Sequence, residues 1–455
     1  IKPHDCILHD IVSKEGKTTG KMTAFHRAGP RENIHFDPKE VRAAIVNCGG
    51  LCPGLNNVIR NITDYLSWAY GVETVYGIHG GYRGFHEKED KEQRSENGGV
   101  LLKKNKRNHS VRNHPNMIQL TPDLVKNWHQ QGGTNLGTAR GGFDEEVILD
   151  FLEKHRINQL YIIGGDGTHR GAYHLVQACD KRKLNVAICG IPKTIDNDVG
   201  VIDQSFGFHS AVQAAQVAIS SAVVEAKGNK PNGIGVVKLM GRSSGYIAAH
   251  ATIANGSVDL CLIPEVPIII DESDENSCLK HLEDVVSCAG HAVVVVAEGA
   301  GEDILGESAE KDAGGNKKLQ PIGNFLVDKI TNHFKLKGKE TTVKYIDPSY
   351  TVRSVPAAAG DSIYCQILAA GAVHGVMAGF TGFSVGLVNN HSVMIPIPTL
   401  VANSPRVINK DGRTWARVLR VTGQPNAGSE NGNKCEEEET KNEKKASSWF
   451  FPSKK

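Results

Sequence analysis

The chain has 455 residues, enough for two or more domains, and 40% of them are apolar, which excludes wholesale disorder. Lysine and arginine total 52 against 50 acids, and this net charge of +2 argues against a dedicated nucleic-acid or membrane-surface binder. Its 49 glycines exceed the usual ~7% without a collagen period, so they mark either linker or many tight backbone turns.

Residues 1–40 are polar and weakly patterned and read as an N-terminal arm, with no apolar core of a signal peptide in the first ten. Residues 42–46 read as a short strand, 47–55 as a Gly-rich turn, and Asn56 opens a helix. Residues 86–116 are rich in Lys, Glu, Asn and His and include the run Lys103, Lys104, Lys106, Arg107. Without interleaved aromatics this reads as an inserted, solvated loop rather than a nucleic-acid surface. Residues 159–163 form an apolar strand, 164–168 a turn, and a helix runs on to about Lys181. A strand at 185–189 ends in Gly190-Ile191-Pro192, and an Ala-rich helix spans about 209–226. Further strands fall at 234–239, 259–263 and 292–297. Strands this rich in Val and Ile, alternating with helices, predict buried parallel sheets. Their number calls for an α/β fold of two Rossmann-like lobes. From Gln424 the composition turns to Gly, Asn and Ser, then Glu and Lys, and residues 424–455 are expected to be a disordered tail. No apolar run approaches the ~18 residues of a membrane span. The ten cysteines are scattered, without Cys-x-x-Cys or zinc spacing, as expected of reduced thiols in a cytosolic-type compartment.

Several turns carry residues suited to phosphate chemistry. Cys48-Gly49-Gly50-Leu51-Cys52-Pro53-Gly54-Leu55-Asn56 joins a strand to a helix, where glycines admit an anion to the backbone N–H groups. It is neither G-x-G-x-x-G nor a P-loop, and alone it reads equally as a tight turn. Gly164-Gly165-Asp166-Gly167-Thr168 puts a carboxylate at the carboxyl end of a strand, where open parallel sheets bind ligands and where Mg²⁺ finds a hard oxygen donor. Thr168 as a plain helix cap is the alternative. Pro192-Lys193-Thr194-Ile195-Asp196-Asn197-Asp198 supplies an aspartate able to take a hydroxyl proton and a lysine able to offset phosphate charge; a polar turn is the competing reading. Met240-Gly241-Arg242 and Glu298 follow strands, and Lys344, Tyr350 and Arg353 share one stretch. Each of these alone reads as surface, but together they repeat one pattern.

In this order and spacing the motifs resemble those of the phosphofructokinases, over about residues 27–420. The phrase Arg27-Ala28-Gly29-Pro30-Arg31-Glu32 is similar to the ATP-dependent plant and protist branch, which is related in sequence to pyrophosphate-dependent enzymes. The resemblance implies a nucleotide-binding lobe at 41–200, completed by about 357–423, a sugar-phosphate-binding lobe at 201–356, and an active site in the cleft between them. It implies phosphoryl transfer from MgATP to the C1 hydroxyl of fructose 6-phosphate, the committed step of glycolysis. The enzyme would be an allosteric, cytoplasmic homotetramer without nucleic-acid or membrane partners. Gly50, Arg140, Gly141, Gly165, Asp166, Gly167 and Thr168 would bind ATP, and Asp166 would hold Mg²⁺. Asp196 would be the general base and Lys193 would lie at the transferring phosphoryl group. Thr194, Ile195, Asp196, Met240, Gly241, Arg242, Glu298, Tyr350 and Arg353 would bind the sugar phosphate, with Arg353 near the 6-phosphate and Lys344 a further member.

The resemblance also bears on the phosphoryl donor. Pyrophosphate users carry an aspartate at the position of Gly167, which would crowd and repel the α-phosphate of a nucleotide, so glycine favours ATP. Lys193 is typical of pyrophosphate users, and the mixed pair matches the plant and protist branch; a pyrophosphate-dependent enzyme is the alternative. Gly233 stands where bacterial relatives place an arginine from a neighbouring subunit, so their mode of regulation does not carry over. Gly-Gly-Asp-Gly-Thr also occurs in NAD kinases and lipid kinases, but those lack Thr-Ile-Asp-Asn-Asp and Met-Gly-Arg.

Overall fold

In the computed structural model the described residues are 1–2, 4–9, 23–86, 114–306 and 319–427. Most of the 86–116 loop with its basic run, and nearly all of the 424–455 tail, lie outside them. The described residues divide into two compact units, one of residues 1–215 and 348–406, the other of 216–306, 319–347 and 407–427.

Thirteen strands are described: β1 (Cys6–Leu8), β2 (Ala24–Arg27), β3 (Arg42–Asn47), β4 (Thr74–Ile78), β5 (Met117–Leu120), β6 (Gln159–Gly164), β7 (Ala187–Pro192), β8 (Gly233–Leu239), β9 (Leu260–Leu262), β10 (His291–Ala297), β11 (Thr342–Ile346), β12 (Phe383–Val388) and β13 (His391–Pro396). The helices that matter below are α1 (Leu55–Asp64), α2 (Asp166–Arg182), α3 (Phe208–Gly228), α4 (Tyr246–Asn255), α5 (Ala359–Met377) and α6 (Ile397–Ala402).

The first unit is built on one sheet in the order β1-β2-β13-β12-β7-β6-β3-β4-β5. Strands β12, β7, β6, β3 and β4 run parallel. Every residue of β6 and β7 is buried, as a sheet covered on both faces requires. The edges are antiparallel, with β5 on β4 at one side and β13, β2 and β1 at the other. The sheet is therefore mixed, with a parallel core. Strand β7 continues through Gly190-Ile191-Pro192, which pair with residues 162–164 of β6, so the segment read as a strand end is still sheet. Two strands, β1 and β2, lie within the segment read as an arm, and Arg27 and His26 pair with Val393 and Met394. The β12–β13 hairpin turns on Asn389 (φ 49°) and Asn390 (φ 62°), both left-handed as a type I′ turn needs. Their N–H groups donate to the carboxylate of Asp203 at 3.1 and 2.7 Å.

The second unit has four strands in the order β11-β8-β10-β9, all parallel. Its centre is the Val-rich β10, buried after its first residue. Gly233 opens β8 against the carbonyls of Ala226 and Asn229, which occupy the space a side chain would need.

Asp361, fully buried in the first turn of α5, ties that helix to the start of α3. Its Oδ2 accepts from the N–H and the hydroxyl of Ser210 at 2.7 and 2.6 Å, and Ser210 Oγ in turn accepts from the Ala358 N–H at 2.8 Å. Hydrogen bonds to a buried charge are worth about 1.5–3 kcal/mol each. Asp361→Ala is expected to lower the unfolding free energy by about 3 kcal/mol in chemical denaturation.

Candidate active site

The site residues of the first unit sit where parallel strands end. At the carboxyl end of β3, Cys48 N–H donates to Ile163 O (2.8 Å) and Gly49 N–H to Ala139 O (3.0 Å), which brings residues 139–142 beside the glycine turn. Gly49 has φ 88°, which favours glycine, and Lys193 Nζ comes within 3.5 Å of its Cβ position, an ordinary contact distance. Lys193 is 6% exposed, and burial pushes its pKa down, with the thiols of Cys52 and Cys48 opposing and Arg140 adding. Those thiols are themselves pushed up to about 12 by burial, so both stay protonated. Arg140 is exposed, with Nη2 4.0 Å from where a Gly50 Cβ would stand, and Gly141 beside it borders open space.

After β6, Gly164 and Gly165 lead into α2. A Cβ on Gly164 would stand 2.5 Å from Thr168 Oγ1, so the first turn of the helix folds against the bare glycine. Tyr82 donates its hydroxyl to Thr168 O at 2.9 Å. Gly167 is exposed and has nothing within 4 Å of a Cβ position. Burial pushes the half-buried carboxyl of Asp166 up to about 6, with the charge of Asp198 adding and Arg170 opposing. Asp166 opens the helix after β6, and the charge that acts on it comes from Asp198 in the turn after the neighbouring β7. Behind them, buried His169 places Nδ1 3.1 Å from Gly165 O and Nε2 3.1 Å from Ser384 Oγ. Burial pushes its pKa down to about 4, so it adds no charge at neutral pH.

Lys193 N–H donates to Gly164 O (2.9 Å), which locks the turn after β7 to the turn after β6. Thr194 Oγ1 donates to Asp198 Oδ1 at 2.6 Å and accepts from the Asp196 N–H at 3.2 Å, so one hydroxyl holds the Asp198 carboxylate and the Asp196 backbone. Asp196 is half-buried. Ile195 is 6% exposed, which leaves only its backbone to meet a ligand. Tyr350 is 75% exposed and carries the Arg353 guanidinium 4.8 Å above its ring. Both fall in the first unit, within residues 348–406, and not among the residues of the second.

In the second unit, Leu239 and Ala297 are register partners, so Met240 and Glu298 leave neighbouring strands side by side. Glu298 N–H donates to Leu239 O (2.9 Å) and Gly299 N–H to Gly241 O (3.0 Å). Gly241 has φ 130° and packs on the Ser244 carbonyl, a conformation and a space that exclude a side chain. Arg242 follows, half-buried. Glu265 was not foreseen: its carboxylate accepts from the N–H of Gly245 at 3.0 and 3.1 Å and from that of Ile408 at 2.8 Å, pinning the turn that leads into α4. No local pattern marks it, because one of its partners lies 143 residues away. Lys344 is exposed in the middle of edge strand β11, paired with Gly235 well short of the carboxyl ends.

Among the described residues no cluster of three or more His, Cys, Asp or Glu could hold a metal ion unaided. No described helix is long and apolar enough to cross a membrane.

Residues 42–376 match the family described as phosphofructokinase. A protein of Arabidopsis thaliana named ATP-dependent 6-phosphofructokinase 7 is 46% identical over 91% of this chain and 79% of its own length. One of Trypanosoma brucei brucei named ATP-dependent 6-phosphofructokinase is 39% identical over 91% of this chain and 79% of its own. Among solved structures, the pyrophosphate-dependent phosphofructokinase from Marinobacter aquaeolei superposes with a TM-score of 0.65 at 18% identity, covering 85% of this chain and 92% of that one, which is a likeness of fold. The matched span opens on β3 and closes in α5, taking in every turn of the candidate site, and the chain belongs to the phosphofructokinase family.

Proposed function

We propose that the protein is an ATP-dependent 6-phosphofructokinase that transfers the γ-phosphoryl group of ATP to the C1 hydroxyl of fructose 6-phosphate. The observation that carries this is the joining of the turns after β6 and β7 by the Lys193 N–H on Gly164 O, which gathers Asp166, the buried Lys193 and the open Gly167 in the first unit. The names of the relatives support the same donor.

The donor set fits Mg²⁺. Asp166, which burial and the charge of Asp198 raise to about 6, would gain from a hard divalent cation nearby, and Mg²⁺ takes few protein ligands beside phosphate oxygens. Asp166 would hold it, with Asp198 adding charge, and the bound cation would neutralise charge on the triphosphate. The N–H groups at the start of α2 and the turn at Gly50 receive phosphate oxygens, with Arg140 and Gly141 along the nucleotide. The open space at Gly167 leaves room for an α-phosphate.

Asp196 accepts the C1 hydroxyl proton as the oxygen attacks the γ-phosphorus and the bond to the β–γ bridging oxygen breaks, leaving ADP. Lys193 offsets charge on the group in flight. Thr194 orients Asp196. Met240, Gly241, Arg242 and Glu298 bind the sugar, and the Arg353 guanidinium with Tyr350 takes the 6-phosphate. Lys344 is left outside this set by its place in mid-strand. We further place the enzyme in the cytoplasm, in keeping with the nine free cysteines among the described residues, as an allosterically regulated homotetramer.

The deciding experiment gives purified protein fructose 6-phosphate and Mg²⁺ with ATP or pyrophosphate in turn. Fructose 1,6-bisphosphate is expected with ATP, and its absence with both donors would end the reading. Asp196→Asn is expected to lower kcat at least ~100-fold while fructose 6-phosphate binding stays measurable by calorimetry. Gly167→Asp is expected to abolish use of ATP, and an unchanged kcat/KM for ATP would count against the donor argument. Because the folded pKa of Asp166 is raised, its ionised form is lost as pH falls through about 6. Mg²⁺-dependent ADP binding should therefore weaken about tenfold from pH 7.5 to 5 in the wild type, beyond any change in Asp166→Asn.

A further inference from the structure

The turn that carries Asp196 is held in a conformation its own sequence does not favour. Asn197 has φ 56° and Val201 φ 74°, and a β-branched residue in the left-handed region persists only where its surroundings hold it there. Those surroundings are residues 403–406, past the end of α6. Arg406 Nη2 donates to Asn197 O at 3.1 Å and Nη1 to Ile202 O at 3.0 Å, so one guanidinium spans the two sides of Val201. Its own backbone N–H donates to Asp198 O. Ser404 Oγ accepts from the Gly200 N–H at 3.0 Å, and Gly200 lies against the Asn403 carbonyl, where a Cβ would collide. Inside the turn, Asn197 Oδ1 accepts from the Ser205 N–H at 2.9 Å. The backbone on both sides of the strained residue is therefore fixed, and Asp196 precedes the first fixed carbonyl.

We infer that Arg406 is a positioning residue for proton transfer: it clamps residues 197–202 and through them sets the direction of the Asp196 carboxylate. This rests on the reading of Asp196 as the base. Only a planar, two-pronged donor bridges both carbonyls, and a lysine reaches one.

The test uses the full chain with Arg406→Lys and Arg406→Ala beside Asp196→Asn. Arg406→Ala is expected to lower kcat about 30-fold or more, with KM for fructose 6-phosphate and ATP changed less than about threefold. Arg406→Lys should recover little. Millimolar guanidinium should restore part of the rate to Arg406→Ala and none to Arg406→Lys. The double variant Arg406→Ala/Asp196→Asn should be no slower than Asp196→Asn alone, because the clamp acts only through the base. Wild-type kcat in a folded Arg406→Ala protein overturns the inference. So does a loss that adds to that of Asp196→Asn, or a fall in thermal stability with KM and kcat failing together and no response to guanidinium. Full activity in Asp196→Asn would instead remove the base assignment itself, an outcome separate from the clamp.

Discussion

A single buried cation organises the first unit's part of the site. Lys193 carries its ammonium beneath the Gly49 turn, walled by the thiols of Cys48 and Cys52 and close enough to Arg140 and Asp196 for their charges to act on it. Burial holds both thiols protonated up to about 12, so no thiolate neutralises the lysine. Burying a charge costs several kcal/mol unless something of opposite sign meets it. Asp196 supplies part of that opposite charge, and under the proposed function an anion at the glycine turn would supply the rest. The overall charge of +2 conceals this, because cation and carboxylates are segregated within one turn system rather than spread over the surface.

The glycines make that segregation sterically feasible. At Gly164 the side chain of Thr168 approaches where a Cβ would stand, and at Gly241 the Ser244 carbonyl does. These are close approaches imposed at strand ends. Gly167 and Gly141 differ, since nothing described fills the space beside either. A glycine surplus visible in composition thus separates into residues that let the protein fold on itself and residues that border open space.

The parallel core was legible from the sequence, and its borders were not. Strands β3, β6, β8 and β10 announce themselves as runs of Val, Ile and Ala because both faces are buried. The edge strands β1 and β2 have three and four residues with mostly exposed side chains, too short and too polar for any periodic signal, so they read as an arm. The tripeptide Gly190-Ile191-Pro192 looked like a strand end, yet proline is tolerated as the last strand residue, and Lys193 takes up the next backbone bond to Gly164. The placement of Asp166, Thr194 and Asp196 at the ends of parallel strands was legible because a local motif fixes it. Legibility ended where burial or register decides: Ile195 turns inward, and Lys344 lies in mid-strand. Glu265 and Arg406 were invisible because their partners lie 143 and about 200 residues away in sequence.

These long-range partners share a purpose. Each pins the backbone of a turn at a strand end, adding to the support the turn draws from its own Thr194 and Asn197 in the case of Arg406. Glu265 spends a carboxylate on the peptide N–H groups of Gly245 and Ile408, and Arg406 spends a guanidinium on the carbonyls of Asn197 and Ile202. In both cases a full charge satisfies backbone dipoles, a strong bond that holds peptide planes in place. A turn built from Gly, Asp, Asn and Thr is chosen for the atoms it exposes, and part of its stiffness comes from elsewhere in the fold.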